Sequence, residues 1–184
     1  MSNASSAELP KIVDPYRLAE QNSVLEGDIP ISALSRFRDA VLGFEEDAVC
    51  RVKLSFYMDG ERRRIVSGEL EAPVRLECQR CMGSMDSVLV SRFVLGLVTS
   101  DEQAQRLPKD LEPFLTDDFS ADLWSMAEDE LLLVLPPYPL HDRNECPAKE
   151  DLEAYEPGSS SALPEEKSGD NPFSVLAGLK KTKH

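Results

Sequence analysis

Residues 50–60 give the clearest indication of secondary structure and read Cys50-Arg51-Val52-Lys53-Leu54-Ser55-Phe56-Tyr57-Met58-Asp59-Gly60. Every second residue from Cys50 to Met58 is apolar, and the residues between them are charged or can form hydrogen bonds. This alternation predicts a β-strand with one face in the core. Asp59-Gly60 favours a tight hairpin turn, because such turns need positive φ. We therefore predict a β-hairpin at this point.

The return strand of the hairpin is predicted to run from Glu61 towards Cys78. Pro73 interrupts its apolar pattern. Because proline cannot donate a hydrogen bond to a neighbouring strand, we expect an edge or a break there. Beyond Cys78, the stretch from Val88 to Val98 is apolar and β-branched, which predicts a further strand.

Helices are predicted on both sides of these strands. After a short strand at residues 23–27, a helix is expected to begin at Asp28-Ile29-Pro30, with an apolar stripe formed by Ile31, Leu34, Phe37 and Val41. Ser100 and Ser120 are expected to cap two later helices. The second of these has the apolar face Leu123, Ala127, Leu131 and Val134. Glu128-Asp129-Glu130 lies largely outside that face and predicts a solvated helix surface.

The fold class predicted from these elements is α+β: an antiparallel β-meander with a Cys-x-x-Cys corner and two or three helices. We divide the chain into a mobile N-terminus at 1–10, one domain at 11–147, a disordered acidic linker at 148–170 and a short C-terminal helical segment at 171–184. The linker assignment is based on a composition rich in Glu, Ser, Pro and Gly.

Acidic residues are concentrated in one part of the chain. Residues 101–170 contain 19 Asp and Glu but only 5 Lys and Arg, whereas the other residues contain 15 of each kind. Phosphate affinity comes largely from Lys and Arg, so a general nucleic-acid binder is disfavoured, although a local basic face or a basic protein partner stays open. No signal peptide or membrane helix is predicted, and we expect a cytoplasmic protein.

Two cysteines close the corner after the return strand, in the string Cys78-Gln79-Arg80-Cys81. Two thiolates at this spacing can hold one tetrahedral metal ion from a turn. His141 and Cys146 offer the two remaining ligands of a Cys₃His site, and zinc is the ion expected. A redox pair and a purely structural corner are the alternatives. Cys50 alternates with core residues, so it is predicted to serve packing alone.

Arginines form the other cluster with predicted chemistry: Arg62, Arg63, Arg64, Arg75 and Arg80. Their forked donors suit phosphate recognition, so they are candidate contacts to RNA or to a partner. The alternative is a solvated sheet face balanced by Glu69, Glu71 and Glu77. At the C-terminus, Phe173, Leu176 and Leu179 fall on one helical face and are predicted to dock on the domain or on a partner.

Four stretches of the chain together resemble the bacterial YceD family: Leu76–Cys81, Ser100–Ala104 with Leu107-Pro108, Ala127–Pro136, and Asn171–Lys180. The resemblance implies a non-enzymatic role in ribosome biogenesis, supporting accumulation or processing of 23S ribosomal RNA. It also implies partners among ribosomal RNA precursors or large-subunit assembly proteins, and no membrane. Many relatives carry more cysteines near His141 and Cys146, so this chain departs from the family pattern there. A thiol- or metal-dependent enzyme at Cys78 and Cys81 and an acidic adaptor for a basic ribosomal protein are the alternative functions.

Overall fold

A computed structural model describes residues 7–117 and 119–154 of the chain. Its seven strands are β1 (Ile12–Val13), β2 (Val24–Pro30), β3 (Val49–Met58), β4 (Arg64–Glu77), β5 (Ser84–Val98), β6 (Glu112–Leu115) and β7 (Ala121–Asp122). Its five α-helices are α1 (Pro15–Glu20), α2 (Ser35–Ala40), α3 (Asp101–Ala104), α4 (Leu123–Leu133) and α5 (Lys149–Ala154), and a 3₁₀ turn spans Ile31–Ala33. No helix in these ranges is long and apolar enough to span a bilayer.

The main sheet has the strand order β2-β3-β4-β5-β6. Its first four strands are antiparallel neighbours in chain order, which confirms the α+β class and the predicted meander. The short strand β6, which pairs parallel to β5 through Leu95–Val98, was not predicted from the sequence. A separate two-stranded sheet joins β1 to β7 and so ties the beginning of the chain to the start of α4.

One face of the main sheet is covered by helices and forms the core. The side chains at even positions of β4 between Val66 and Leu76 are buried, as alternation along a strand requires. The largest side chains that are fully buried in the described part of the chain include Phe37, Phe56, Leu54, Leu70, Leu123 and Leu131. Burial of side chains of this size contributes about 1.5–3 kcal/mol each, so this layer provides most of the driving force for folding.

The predicted hairpin between β3 and β4 is present, but its turn is longer than predicted. Strand pairing ends at Met58 and Arg64, and Arg62 N donates to Asp59 O over 3.0 Å. The positive φ of 63° belongs to Arg62 and not to Gly60. This is the pattern of a wider turn followed by one left-handed residue. The Asp59 side chain explains the choice, because its Oδ1 accepts from Glu61 N and Arg63 N within the turn.

Pro73 does not break β4. The ladder between β3 and β4 ends at Glu71, and the next contact on that side is the bridge between Gly43 and Arg75. Pro73 therefore lies where no donor is needed towards β3, while the pairing with β5 continues through Val88. Because the pairing with β3 stops before Pro73, β4 has a local edge at the position that we predicted.

Two predicted helix starts are wrong. β2 continues to Pro30 because Asp28 to Pro30 pair with β3, so the helical region begins only with the 3₁₀ turn and α2. The second error concerns α4, whose capping residue is Asp122 rather than Ser120. The Asp122 carboxylate accepts from Trp124 N and Ser125 N, both over 3.0 Å.

The acidic run of α4 is not the solvated surface that we predicted. Glu128 is 7% exposed and Glu130 is 9% exposed. Glu128 Oε1 accepts from Arg36 N over 2.7 Å and from Phe37 N over 3.2 Å, while its other oxygen pairs with the Arg36 guanidinium. A distant carboxylate thus supplies the cap that α2 lacks in its own sequence.

Two described segments, at residues 7–10 and 149–154, belong to parts of the chain that the predicted division places outside the domain. Leu9, placed by sequence in the mobile N-terminus, is 1% exposed, and its N–H donates to Asp28 O. α5 lies at the start of the predicted linker. The remainder of that linker and the C-terminal segment with Phe173, Leu176 and Leu179 lie outside the described residues.

Candidate metal centre

The corner between β4 and β5 is shaped by its own backbone. Cys78 N donates to Gly83 O over 2.9 Å, and Met82 N donates to Cys78 O over 2.8 Å. Met82 has a φ of 56°, in the left-handed region. This geometry folds residues 79–82 into a compact turn, with Cys78 and Cys81 facing a common point. Two thiols separated by two residues converge in this way in metal-binding knuckles.

The segment after α4 brings the other two ligands to this corner. Prolines at 136, 137 and 139 cannot continue a helix, so the chain leaves α4 and passes along the corner. Pro139 O accepts from Gln79 N over 2.9 Å, and His141 N lies 3.5 Å from Cys78 Sγ as a donor. These two contacts fix the segment just before His141 and set the direction of its side chain.

The ligand atoms of Cys78, Cys81, His141 and Cys146 all lie within 4.8 Å of one another. His141 Nδ1 is 3.4 Å from Cys81 Sγ, while its Nε2 is 3.3 Å from Ser84 O. A proton on Nε2 can be donated to that carbonyl, which leaves Nδ1 as the free ligand atom. The four predicted ligands are thus together, and Cys50 is not among them.

The surroundings of Cys78, Cys81 and Cys50 shift the pKa values of their thiols in different directions. Burial opposes charge on Cys78, but N–H groups of His141, Cys81 and Arg80 point at its sulfur and lower its pKa to about 5. For Cys81, an N–H of Gly83 acts in the same direction, but burial and the neighbouring Cys78 and Cys146 outweigh it and raise the pKa. By contrast, burial raises the pKa of Cys50 to about 12, so this thiol stays neutral.

This donor set fits a structural zinc ion. All four cysteines are free, so no disulfide competes for the sulfurs. A tetrahedral ion with Zn–S distances of about 2.3 Å holds its ligands about 3.8 Å apart, close to the spacing found here. Cys78 is 0% and Cys146 is 3% exposed. A closed Cys₃His set of this kind belongs to structural rather than catalytic sites, which keep one position open.

Comparison with known proteins matches the chain to one family. The family model described as "Large ribosomal RNA subunit accumulation protein YceD" matches residues 66–180, which include the Cys78–Gly83 corner, His141 and Cys146. A protein of that name from Haemophilus influenzae is 34% identical over 175 residues, which cover 94% of this chain and 97% of the relative. The chain belongs to the YceD family. No solved structure matches it significantly.

The arginines proposed as an RNA-binding group are not on one surface in this YceD-family chain. Arg62, Arg63 and Arg64 lie at one end of β4, whereas Arg75 and Arg80 lie at the other. Arg75 lies eleven positions after Arg64 along the same extended strand, a distance of about 36 Å. The structure therefore brings together two smaller groups rather than one face.

Several of these arginines already have partners. Arg63 Nε lies 2.5 Å from Asp59 Oδ2, and Arg64 Nη2 lies 3.1 Å from Glu20 Oε1. Arg75 Nη2 donates to Phe44 O over 3.0 Å. By contrast, Arg80 Nη1 is buried at the metal corner and has no hydrogen-bond partner in the described part of the chain.

Sequence reasoning missed the groups that support the ligands. The carbonyls of Ser84 and Pro139 position His141 and its segment, yet backbone acceptors leave no trace in residue type. The proline cluster was a usable signal, because three prolines directly before His141 predict an extended approach. Only the folded chain shows that this approach ends at the Cys78 corner.

Proposed function

We propose that this protein is a non-enzymatic accessory factor that supports accumulation or processing of the 23S ribosomal RNA of the large subunit. Its membership of the YceD family, over nearly its whole length, carries this proposal. The name of the Haemophilus influenzae relative refers to accumulation of the large ribosomal RNA subunit. On this view the protein acts in the cytoplasm, where ribosomal RNA precursors or assembly proteins are its partners.

The metal centre is proposed to have a structural role in this function. Zinc held by Cys78, Cys81, His141 and Cys146 would fasten the segment after α4 to the β4–β5 corner. Bound zinc contributes to the free energy of folding in sites of this type. It can order a chain segment that buries few apolar side chains. The described α5 lies just beyond Cys146, so the same ion would also fix the position at which α5 begins.

The burial of Cys78 and Cys146 favours this role over a thiol enzyme. A cysteine nucleophile must reach its substrate, whereas the side chain of Cys78 is fully buried. The Cys-x-x-Cys pair also lies between two strands, while redox pairs of this kind usually begin a helix. These observations support a structural centre and a binding function.

The experiment that tests the proposal measures 23S ribosomal RNA in a strain that lacks the protein. Complementation with the wild-type gene is expected to restore the RNA level, and a Cys78→Ser variant is expected to restore it less. Pull-down of the wild-type protein from lysate, with and without ribonuclease, then separates RNA contact from protein contact. A deletion strain with normal 23S ribosomal RNA and normal large subunits would refute the proposal.

The contribution of the arginines can be tested in the same strain. We propose that Arg62, Arg63 and Arg64 act as one group and Arg80 as another. Replacing the first three by Ser should weaken association with ribosomal particles and flatten its salt dependence. A variant with Arg38, Arg51 and Lys53 replaced by Ser is the matched control, because it removes the same three positive charges from exposed positions outside the proposed groups.

A further inference from the structure

One long edge of the main sheet has no neighbouring strand within residues 7–117 and 119–154. β6 pairs with β5 only through Leu95–Val98, so the stretch Ser84–Val94 of β5 pairs with β4 alone. The opposite edge, β2, is partly covered, because Asp28 exchanges two backbone hydrogen bonds with residues 7 and 9. An unpaired strand edge is a template for another chain, and proteins usually cover or interrupt it.

The backbone groups of this edge point outward in a regular pattern. Val98 O accepts from Thr116 N, and Ser84 O lies 3.3 Å from His141 Nε2. Both contacts are on the side of β5 away from β4. Because backbone groups alternate in direction along a strand, the even-numbered residues between these two points present their N–H and C=O groups to the same side. Those that precede the pairing with β6 at Leu95–Val98 are Asp86, Val88, Val90, Arg92 and Val94.

The side chains of the same residues lie on the open face of the sheet. Val88 is 57%, Val90 is 46% and Val94 is 47% exposed. Asp86 forms no ion pair with any other described residue, whereas Arg92 pairs with Glu69 at 2.6 Å on the neighbouring strand. The edge thus combines free backbone donors and acceptors, exposed valines and one charge of each sign.

We propose that this edge of β5 binds the same edge of a second copy of the chain, antiparallel, to form a two-fold symmetric dimer. The unpaired stretch from Ser84 to Val94 has its midpoint at Leu89. A two-fold axis beside Leu89 places the stretch Ser84–Val94 of one copy against the same stretch of the other. The paired part of β5 then ends in each copy where its own β6 begins. The hydrogen-bonded ladder runs from Asp86 to Arg92, since Ser84 O is already occupied by His141.

Charge selects this register. With the axis at Leu89, Asp86 lies opposite Arg92 of the second copy, Val88 lies opposite Val90, and both pairs occur twice. Shifting the axis to residue 88 or 90 places Asp86 opposite a valine instead. Opposite charges across neighbouring strands are favourable and like charges are unfavourable, so the register centred on Leu89 is preferred.

The same register continues the charge pattern of each sheet into the other. Within one copy, Glu26, Lys53, Glu69 and Arg92 follow one another across four strands, and their signs alternate. The contacts between Lys53 and Glu26 and between Arg92 and Glu69 are both 2.6 Å. Across the axis the row continues with Asp86 and then Arg75 of the second copy, again with alternating sign. Each Asp86 gains an ion pair that the described single chain does not provide.

Charge reversal at the edge tests the proposal with the full-length chain. Sedimentation velocity should show a species of twice the 20.5 kDa chain mass whose fraction rises with concentration. Arg92→Asp and Asp86→Arg each place like charges opposite one another twice, and each should raise the dimer Kd by roughly tenfold or more. Mixing the two variants should restore association as a mixed dimer, because each charge then meets its opposite.

Further variants separate the edge from general effects on folding. Val90→Lys should also favour the monomer, whereas Val24→Lys should not, although Val24, at 54%, is at least as exposed on the same face. Thermal melts followed by circular dichroism identify any variant that fails to fold. If a charge-reversal variant is unfolded, Val90→Lys is used in its place to test the edge. A wild-type chain that sediments as a monomer at every soluble concentration would overturn the proposal, as would folded charge-reversal variants that dimerise like the wild type.

Discussion

A turn lies at each end of β4, but the two turns are stabilised by different contacts. At one end, the turn from Asp59 to Arg63 is closed by its own residues: Asp59 accepts from two backbone N–H groups and from the Arg63 side chain. At the other end, the corner from Cys78 to Gly83 is completed by Pro139, His141 and Cys146, about sixty residues further along the chain. The first turn is a local structure, whereas the second depends on the tertiary fold and, in our proposal, on a metal ion.

The largest expected effect is loss of a metal ligand at the second turn. Cys146→Ser should lower metal affinity by more than about 100-fold, because even supporting residues of metal sites cost 10–100-fold when removed. Elemental analysis of protein purified without chelator measures the bound metal. Limited proteolysis should then cut the chain after α4 sooner. Cys50→Ser is the control and should leave the metal content unchanged, since Cys50 lies outside the cluster.

Removing the internal cap of the first turn should have a smaller effect. Asp59→Ala leaves Glu61 N and Arg63 N without their acceptor and should lower the Tm by about 2–4 °C, the usual size of a modest destabilisation in a chain of this length. Metal content should not change. Glu61→Ala is the matched control, because Glu61 only contacts Arg63 from an exposed position. Equal Tm values for the two variants would show that the turn does not depend on Asp59.

The first turn should also depend on pH. Desolvation tends to raise the pKa of Asp59, but hydrogen bonds from Arg63 and Glu61 outweigh it and hold the pKa below its ordinary value of 3.8. The carboxylate therefore stabilises the fold fully above that value, and this contribution is lost as pH falls through the lowered pKa. Urea unfolding of wild type and Asp59→Asn should differ at neutral pH and converge only at pH values below the lowered pKa. A constant difference would contradict this assignment.

The smallest effect concerns the feature that the two turns share. Arg62 and Met82 have φ values of 63° and 56°, which are unfavourable for residues with a side chain. Arg62→Gly and Met82→Gly should each stabilise the fold by about 0.5–1 kcal/mol, because glycine adopts this conformation without strain. Urea unfolding measures both changes. A gain at Arg62 with a loss at Met82 would mean that the Met82 side chain contributes contacts at the metal corner.

Features that depend on residues close together in the chain could be predicted before the fold was known. Alternation from Cys50 to Met58 defined β3, and Asp59 defined the position of a turn, because strand period and turn chemistry act over a few residues. The pairs Cys78-Cys81 and His141-Cys146 could be proposed as ligands because thiol and imidazole chemistry is specific. Family resemblance added the expected process.

Contacts between residues far apart in the chain could be identified only in the folded protein. Glu128 looked like a solvated residue, yet it caps α2, since its position on α4 faces the free N–H groups of Arg36 and Phe37. β6 was too short to be predicted and is defined by its pairing with β5. The spread of the arginines along β4 and the open edge of β5 likewise follow from strand length and order. These properties depend on the packing of the whole chain, which local sequence patterns do not encode.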